Sequence, residues 1–367
     1  MTPELYVKIY YYTLLVIVLF FSLFSRNQEN RPLRFYALLL FVFVFCMITF
    51  RDLDPIFGDT KYYAFKFEQY VQWGIKEMEM GKIKDIGFEW FTLFWSMFDN
   101  LTLYFGAIAL VYLLPVYLAF EKGFKDSVFI VLLLFICSFS FWGYGVNGLR
   151  NGMATSLIVA AMFSNRMWLQ ILLIIIASSF HVSALLPGLM FLIAKYYHNP
   201  KTYLIIYGIF LLISITVGEQ LGSIIGNWDL ISGTDERLQG YLTTNMETEL
   251  DNGLSSATAF SRVGFRWDFV LYSLIPILLG YIYIYRQNYN DKLYKVLYCT
   301  YVGCNAFWLL TIYVPFNNRF AYLSWFIYSV IISYPLLKEQ NFVDFQKEKI
   351  QVMVLLNYAF TFFMFIR

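Results

Sequence analysis

The stretch LYVKIYYYTLLVIVLFFSLF, residues 5–24, sets the fold class of this chain because it holds only one charged residue, Lys8. A helix rises 1.5 Å per residue, so about twenty apolar residues cross the hydrocarbon core of a bilayer. The stretch is longer than the apolar core of a signal peptide and lacks a small-residue cleavage site. We therefore expect it to be a first membrane span.

The composition extends this expectation to the whole chain. Of its 367 residues, 59% are hydrophobic and 14% are charged, whereas soluble domains are roughly a quarter charged. The net charge of +2 is small and scattered, which argues against a nucleic-acid partner. The four cysteines lie inside apolar runs and match neither a disulfide framework nor a zinc site. The sequence thus predicts an integral membrane protein.

Apolar runs alternate with charged segments, which predicts an all-α polytopic protein of about twelve spans. Their approximate bounds are 5–24, 35–50, 101–120, 127–143, 150–164, 168–180, 182–197, 202–218, 267–285, 294–314, 320–337 and 350–366. We treat 1–367 as a single integral membrane domain. Two of its segments between spans are long: 51–100, with amphipathic helices, and 219–266, expected to be a largely irregular loop.

The short loops give the orientation. Those in one alternating set are all basic, for example EKGFKDS (121–127) and KYYHNPK (195–201), so the positive-inside rule makes that set cytoplasmic. Both long segments and both termini then face outward. This topology collects a group of ionisable residues at the outer membrane boundary, and they are Arg51, Asp59, Arg150, His181, Arg262, Arg266, Asp268 and Arg319.

The gathered arginines suggest an anionic ligand. A guanidinium donates in a planar fork that matches phosphate oxygens, so the cluster suits a diphosphate held at headgroup level by a lipid tail. The imidazole of His181 can exchange a proton near neutral pH. We expect no metal and no cofactor. Asp52 and Asp54 in RDLDP form a short Asp-x-Asp pair, which is weak evidence for a metal site.

Five motifs together resemble the EpsG-type polysaccharide polymerases, a branch of the Wzy polymerases. In chain order they are FRDLDPIFGDTKYY (50–63), GFEWFTLF (87–94), GLRNGMATSLIVAAMF (148–163), SSFHVSALLPGLMF (178–191) and FNNRFAYL (316–323). The resemblance covers nearly the whole chain. It implies an architecture similar to the large multispanning, GT-C-like glycosyltransferases.

The resemblance also implies a reaction. A glycan on undecaprenyl diphosphate would be transferred to the non-reducing end of another lipid-linked repeat unit, at the outer face of a bacterial inner membrane. The implied partners are these lipid-linked oligosaccharides and membrane lipid, with a chain-length regulator as a further candidate. The implied catalytic residues are Arg150, His181, Arg266 and Arg319. The implied substrate-binding residues are Arg51, Asp59, Tyr63, Arg262 and Asp268.

Three other functions fit part of the pattern. A flippase for the same lipid-linked sugars would carry its site at mid-membrane, often in repeated halves, and this sequence has neither a repeat nor midspan charges. A metal-dependent glycosyltransferase that uses a polyprenyl-phosphate sugar would use Asp52 and Asp54, and its activity would be lost with a chelator. A membrane-bound acyltransferase would explain His181 but not the arginines.

Overall fold

The structure is a computed structural model that describes residues 1–24, 33–80, 85–226, 264–314, 318–338 and 344–366. Over these ranges the chain is helical and contains no strand, which confirms the all-α prediction. A helix pairs its backbone polar groups within the segment, as an apolar surrounding requires. Arg262 and residues 227–263 of the expected outer loop lie outside the described residues.

Up to Tyr196 the described helices vary in length from 6 to 24 residues. They are α1 (Pro3–Phe24), α2 (Leu33–Thr49), α3 (Thr60–Trp73), α4 (Ile75–Met80), α5 (Ile86–Ser96), α6 (Leu101–Phe124), α7 (Val128–Ile136), α8 (Phe139–Val146), α9 (Leu149–Met162), α10 (Met167–Phe180) and α11 (Leu185–Tyr196). Three 3₁₀ turns lie between helices, at Pro55–Phe57, Lys125–Ser127 and Val182–Ala184. The described parts of the predicted amphipathic segment thus form three helices, α3, α4 and α5.

The rest of the chain continues in helices of mixed length. They are α12 (Pro200–Gly226), α13 (Trp267–Tyr281), α14 (Lys292–Leu310), α15 (Asn318–Trp325), α16 (Tyr328–Lys338) and α17 (Asp344–Ile366). A π-helical turn at Ile282–Arg286 continues α13. The helix α12 extends past the predicted span end at 218, because Leu221, Ile224 and Ile225 continue the helical spacing of apolar residues.

Six stretches of the described residues are long and apolar enough to cross a membrane, so this is a membrane protein. They are Pro3–Leu23, Leu101–Ile136, Pro200–Gly222, Trp267–Arg286, Asn318–Lys338 and Gln346–Ile366. Three shorter apolar helices accompany them, Arg34–Thr49, Met167–Phe180 and Val182–Tyr196. The count of about twelve spans stays a prediction, as does the GT-C-like architecture. The predicted span 127–143, for instance, is broken where Ser138 adopts an extended conformation between α7 and α8.

The backbone contacts divide the chain into two compact units. The first comprises Met1–Gly188 and Phe326–Arg367. Within it, α6 packs against α2 and α9, α10 packs against α9, and α1 packs against α17. Gly152 makes the contact of α9 with α8 possible, since a Cβ there would lie 2.7 Å from the carbonyl oxygen of Tyr144. Only glycine fits so close to a backbone atom.

The second unit comprises Leu189–Trp325. Within it, α12 packs along α14, and α14 contacts α13 and α15. Trp325 is 1% exposed, and its indole Nε1 donates to Ser273 Oγ at 2.7 Å. Asn305 Nδ2 donates to Ser324 Oγ at 3.0 Å. Such interhelical hydrogen bonds, with close packing, hold apolar helices together where the hydrophobic effect cannot.

Candidate active site

A buried carboxylate lies at the centre of the candidate site. Asp85 is fully buried, and its Oδ2 accepts from Arg150 Nη1 at 2.6 Å. The same oxygen is 3.1 Å from His181 Nδ1. The backbone N–H of Val182 donates to Oδ1 at 3.2 Å. Arg150 and His181, both predicted from sequence as site residues, are therefore brought together by a third residue.

The three side chains come from three helix ends. Asp85 directly precedes α5, Arg150 lies in the first turn of α9, and His181 follows the last residue of α10. The backbone of His181 is extended, which stops α10 before the 3₁₀ turn begins. In that turn, Ser183 Oγ donates to Asn151 Oδ1 at 3.0 Å. The turn is thus fixed to α9 next to Arg150.

A close helix contact sets the position of Asp85. A Cβ added to Gly87, in the first turn of α5, would lie 2.2 Å from Ser179 Oγ and 2.9 Å from the Ser179 carbonyl carbon. The absence of a side chain lets the start of α5 lie directly against the end of α10. This contact places Asp85 within hydrogen-bond distance of His181.

An aromatic cluster surrounds the same three helix ends. Phe91 of α5 contacts Phe180 at the end of α10, with ring centroids 5.8 Å apart, and Phe67 of α3 stacks on Tyr104 at 4.8 Å. Tyr63, Phe67, Phe88 and Tyr104 belong to one buried cluster that also holds Leu149 and Met153 of α9. Aromatic pairs of this kind stabilise beyond their buried area, so the site rests on a rigid base.

The site is charged and partly open. Burial raises the pKa of Asp85, but the hydrogen bond and charge of His181, together with Arg150, outweigh it and lower the pKa overall. The carboxylate is thus an anion at neutral pH. The Arg150 and His181 side chains are 25% and 19% exposed, respectively. A ligand can therefore reach the arginine and the histidine, while the aspartate stays covered.

A family comparison bears on this site. The family model described as the EpsG family matches residues 34–367, a range that includes Asp85, Arg150 and His181. The chain belongs to the EpsG family. This confirms the resemblance drawn from the five motifs. No curated protein and no solved structure matches the chain.

In this EpsG-family protein, two further predicted residues lie near the start of α3. Tyr63 is 3% exposed, and the guanidinium carbon of Arg150 lies 6.0 Å from its ring centroid. The ring of Phe88 is at the same distance from Arg150. Asp59 precedes α3, and its backbone N–H donates to Asn147 Oδ1 at 2.9 Å. Tyr63 therefore belongs to the Arg150 environment, whereas Asp59 is tied to the loop before α9.

Arg51 is placed inside the protein. It is 5% exposed, its Nε donates to Thr60 Oγ1 at 3.0 Å, and its Nη1 donates to the carbonyl oxygen of Ile48. Its guanidinium also lies 4.4 Å from the centroid of the Phe105 ring. These contacts tie the end of α2 to the start of α3 and to α6. Its role in substrate binding stays a prediction.

The remaining arginines belong to the second unit. Arg266 forms a bidentate ion pair with Asp268. Its Nε donates to Oδ1 at 2.9 Å and its Nη2 donates to Oδ2 at 2.7 Å. Its guanidinium lies 3.8 Å from the centroid of the Phe269 ring. Arg319 is exposed in the first turn of α15. The predicted convergence of Arg266 and Arg319 with Arg150 stays a prediction.

Of the Asp-x-Asp pair, Asp54 has a local structural role. Asp54 caps the 3₁₀ turn, because its Oδ1 accepts from the backbone N–H of Ile56 at 3.0 Å, and Asp52 is exposed. In the part of the chain that the structure describes, no group of three or more His, Cys, Asp or Glu residues could hold a metal ion.

Asp85 was not among the residues predicted from sequence. It ends the polar stretch GKIKD (81–85), and it is separated by 65 and 96 positions from Arg150 and His181. No spacing pattern reveals a contact of that range. One feature of the sequence does point to Asp85. It is a carboxylate directly before an apolar helix, and the predicted topology places it at the same membrane face as Arg150 and His181.

Proposed function

We propose that this EpsG-family protein polymerises lipid-linked oligosaccharide repeat units. A growing glycan on undecaprenyl diphosphate would be transferred to the non-reducing end of a second lipid-linked unit, at the outer face of the membrane. Membership of the EpsG family and the apolar spans support this proposal. The observation that carries it is the pairing of Arg150 and His181 on the buried carboxylate of Asp85.

The proposed chemistry divides between the two exposed members of the site. Arg150 binds the diphosphate and stabilises its negative charge as the bond between the sugar C1 and the phosphate oxygen breaks. The ion pair with Asp85 engages Nη1, and a guanidinium has five N–H donors in all. His181 takes the proton of the acceptor hydroxyl as its oxygen bonds to C1. Undecaprenyl diphosphate is the leaving group.

Asp85 supports both partners in this scheme. A carboxylate that accepts from Nδ1–H holds an imidazole in the tautomer whose Nε2 is the proton acceptor. It also stabilises the imidazolium that forms when the proton is taken. We therefore prefer His181 as the base over Asp59 and Asp268. Asp268 already accepts two hydrogen bonds from Arg266.

The remaining predicted residues extend the proposal. Arg266 and Arg319 would add positive charge for the diphosphate, with Asp268 orienting Arg266. Arg51, Asp59, Tyr63 and Arg262 would contribute to substrate binding. A small recess beside Arg150, lined by Tyr62, Tyr63, Lys66, Glu89 and Thr92 among others, is a candidate position for a sugar hydroxyl. The proposed reaction uses no metal or cofactor.

The test is a polymerisation assay with the purified protein and a defined undecaprenyl-diphosphate repeat unit. We expect a ladder of products from the wild type and none from Arg150→Ala or His181→Ala. Arg166→Ala is the matched control, since Arg166 is exposed at the other end of α9, before α10. A normal ladder from Arg150→Ala would refute the assignment. Translocation of the lipid-linked unit without any ladder would instead indicate a flippase.

A further inference from the structure

A second cavity lies in the second unit, at the end of α13 remote from Arg266. Its volume is about 560 Å³. The stretch Trp267–Arg286 has 20 residues, which corresponds to about 30 Å of helix, one hydrocarbon thickness. Arg266 lies just before this stretch, whereas the cavity is lined by Ile284 and Tyr285 of its final π-helical turn. The two places are thus at opposite ends of one span.

The cavity wall is basic. Lys201, in the first turn of α12, and Lys295, in the first turn of α14, both line it, and none of its described lining residues is acidic. Lys295 Nζ donates to Asn290 Oδ1 at 2.7 Å, and Lys201 Nζ lies 5.6 Å from the centroid of the Tyr285 ring. Neither lysine pairs with a carboxylate of the described residues. The cavity therefore offers positive charge without an internal counter-ion.

An imidazole adds a third polar group. His198 lines the cavity, and its Nδ1 is buried without a hydrogen-bond partner in the described part of the chain. The start of the long helix α12 also contributes, because a helix N-terminus favours an anion.

The wall is held in place before any ligand arrives. The hydroxyl groups of Tyr197 and Thr202 are 2.7 Å apart, Tyr203 donates its hydroxyl to the Tyr197 carbonyl oxygen at 3.0 Å, and the Lys201 N–H donates to Asn199 Oδ1 at 3.2 Å. Ile284 and Tyr285, which also line the cavity, belong to the π-helical turn, a rare conformation that is frequent at functional sites. A preformed site loses less entropy on binding.

An apolar strip leads away from the cavity along α12. Ile205, Ile209 and Leu212 follow Lys201 at helical spacing and are 63%, 49% and 65% exposed. Residues with this spacing share one helix face. An acyl chain could lie along that face while a charged headgroup occupies the cavity.

We propose that this cavity binds the headgroup phosphate of an anionic phospholipid. Basic pockets at the cytoplasmic ends of membrane helices bind such headgroups, and the positive-inside rule places KYYHNPK on that side. The lipid headgroup would contact Lys201, Lys295 and His198, and its acyl chains would lie along the apolar strip. This site is separate from the polymerase proposal and does not depend on it.

The test measures lipid retention by the purified full chain in detergent, using native mass spectrometry with phosphatidylglycerol or phosphatidylcholine. We expect the wild type to retain phosphatidylglycerol about tenfold more than phosphatidylcholine, because the two lysines attract the net negative charge of phosphatidylglycerol and phosphatidylcholine carries no net charge. The double variant Lys201→Gln/Lys295→Gln should lose this preference. Lys292→Gln is the matched control, an exposed lysine of α14 that does not line the cavity.

Three outcomes would overturn the proposal. The first is equal retention of both lipids by the wild type, and the second is an equal loss of preference in Lys292→Gln. The third is displacement of phosphatidylglycerol by millimolar inorganic phosphate, which would assign the cavity to a soluble phosphate compound. An unchanged thermal unfolding midpoint in the double variant separates lost binding from lost folding.

Discussion

Both carboxylate oxygens of Asp85 contact groups from other parts of the chain. Oδ2 contacts Arg150 and His181, and Oδ1 contacts the backbone of Val182. The sequence predicted Arg150 and His181 because each lies in a continuous motif at the end of an apolar run, which can be identified from neighbouring residues. It did not predict Asp85, since a contact across 96 positions depends on how α5 packs against α10.

The charge of Asp85 can be tested through the pH dependence of the reaction. Asp85→Asn keeps the shape but removes the charge and can hold His181 in the wrong tautomer, so we expect kcat to fall about 10²–10⁴-fold. The half-maximal pH of the residual activity should move down, because no carboxylate then favours the protonated imidazole. Asp85→Glu should recover part of the rate. A lower yield of folded protein with an unchanged pH profile would leave Asp85 a purely structural role.

The same charge affects stability. The pKa of Asp85 is lower in the folded protein, so the folded state binds fewer protons than the unfolded state around pH 4. The stability that Asp85 contributes is present above its unfolded pKa of about 3.9 and is lost as the pH falls through the folded pKa. We expect the gap in unfolding midpoint between wild type and Asp85→Asn to be largest at pH 7 and to shrink below about pH 4. A gap that widens at low pH would contradict this.

At the scale of elements, the site depends on the contact of α5 with α10. The sequence predicted a helix in both places, amphipathic in the segment 51–100 and apolar over 168–180, because hydrophobic periodicity identifies a helix from its own residues. Their close approach depends instead on Gly87, which nothing in the local pattern marks. The same holds for the break between α7 and α8, where one predicted span becomes two short helices.

Gly87→Ala tests that contact. The new methyl group would lie within 2.9 Å of the Ser179 backbone, which cannot move aside as a flexible side chain can. We expect a loss of about 1–3 kcal/mol in stability and a lower rate, as Asp85 is moved away from His181. Gly143→Ala in α8 is the control, since nothing lies within 4 Å of its added Cβ. Alanine favours a helix more than glycine does, so we expect Gly143→Ala to be neutral or slightly more stable. An equal loss in both variants would show that the contact with Ser179 is not responsible.

At the scale of the whole molecule, composition was enough to predict a helical membrane protein. The family could be named from five motifs because each motif is a continuous stretch of sequence and the five follow in a set order. The number of spans was harder to predict, since α8 and α9 are apolar but short, and length alone does not decide whether such helices cross a bilayer.

The predicted orientation can be tested with impermeant thiol labelling of intact cells. Met97 and Asp126 lie near opposite ends of α6 and are exposed. We expect Met97→Cys to be labelled from outside and Asp126→Cys only after lysis, because the EKGFKDS loop is basic. The unmodified chain gives the background from its four native cysteines. The reverse labelling pattern would put the site on the cytoplasmic side and exclude polymerisation at the outer face.

One oxygen atom that serves both a guanidinium and an imidazole makes their two tasks interdependent. If a diphosphate neutralises Arg150, the field of Asp85 acts more fully on His181, which then attracts a proton more strongly. By reciprocity, a protonated His181 weakens the ion pair between Asp85 and Arg150, and Arg150 then binds the departing diphosphate more tightly. Binding of the diphosphate-linked donor substrate would thereby make His181 a stronger base, and His181 would be a weaker base in the enzyme without substrate.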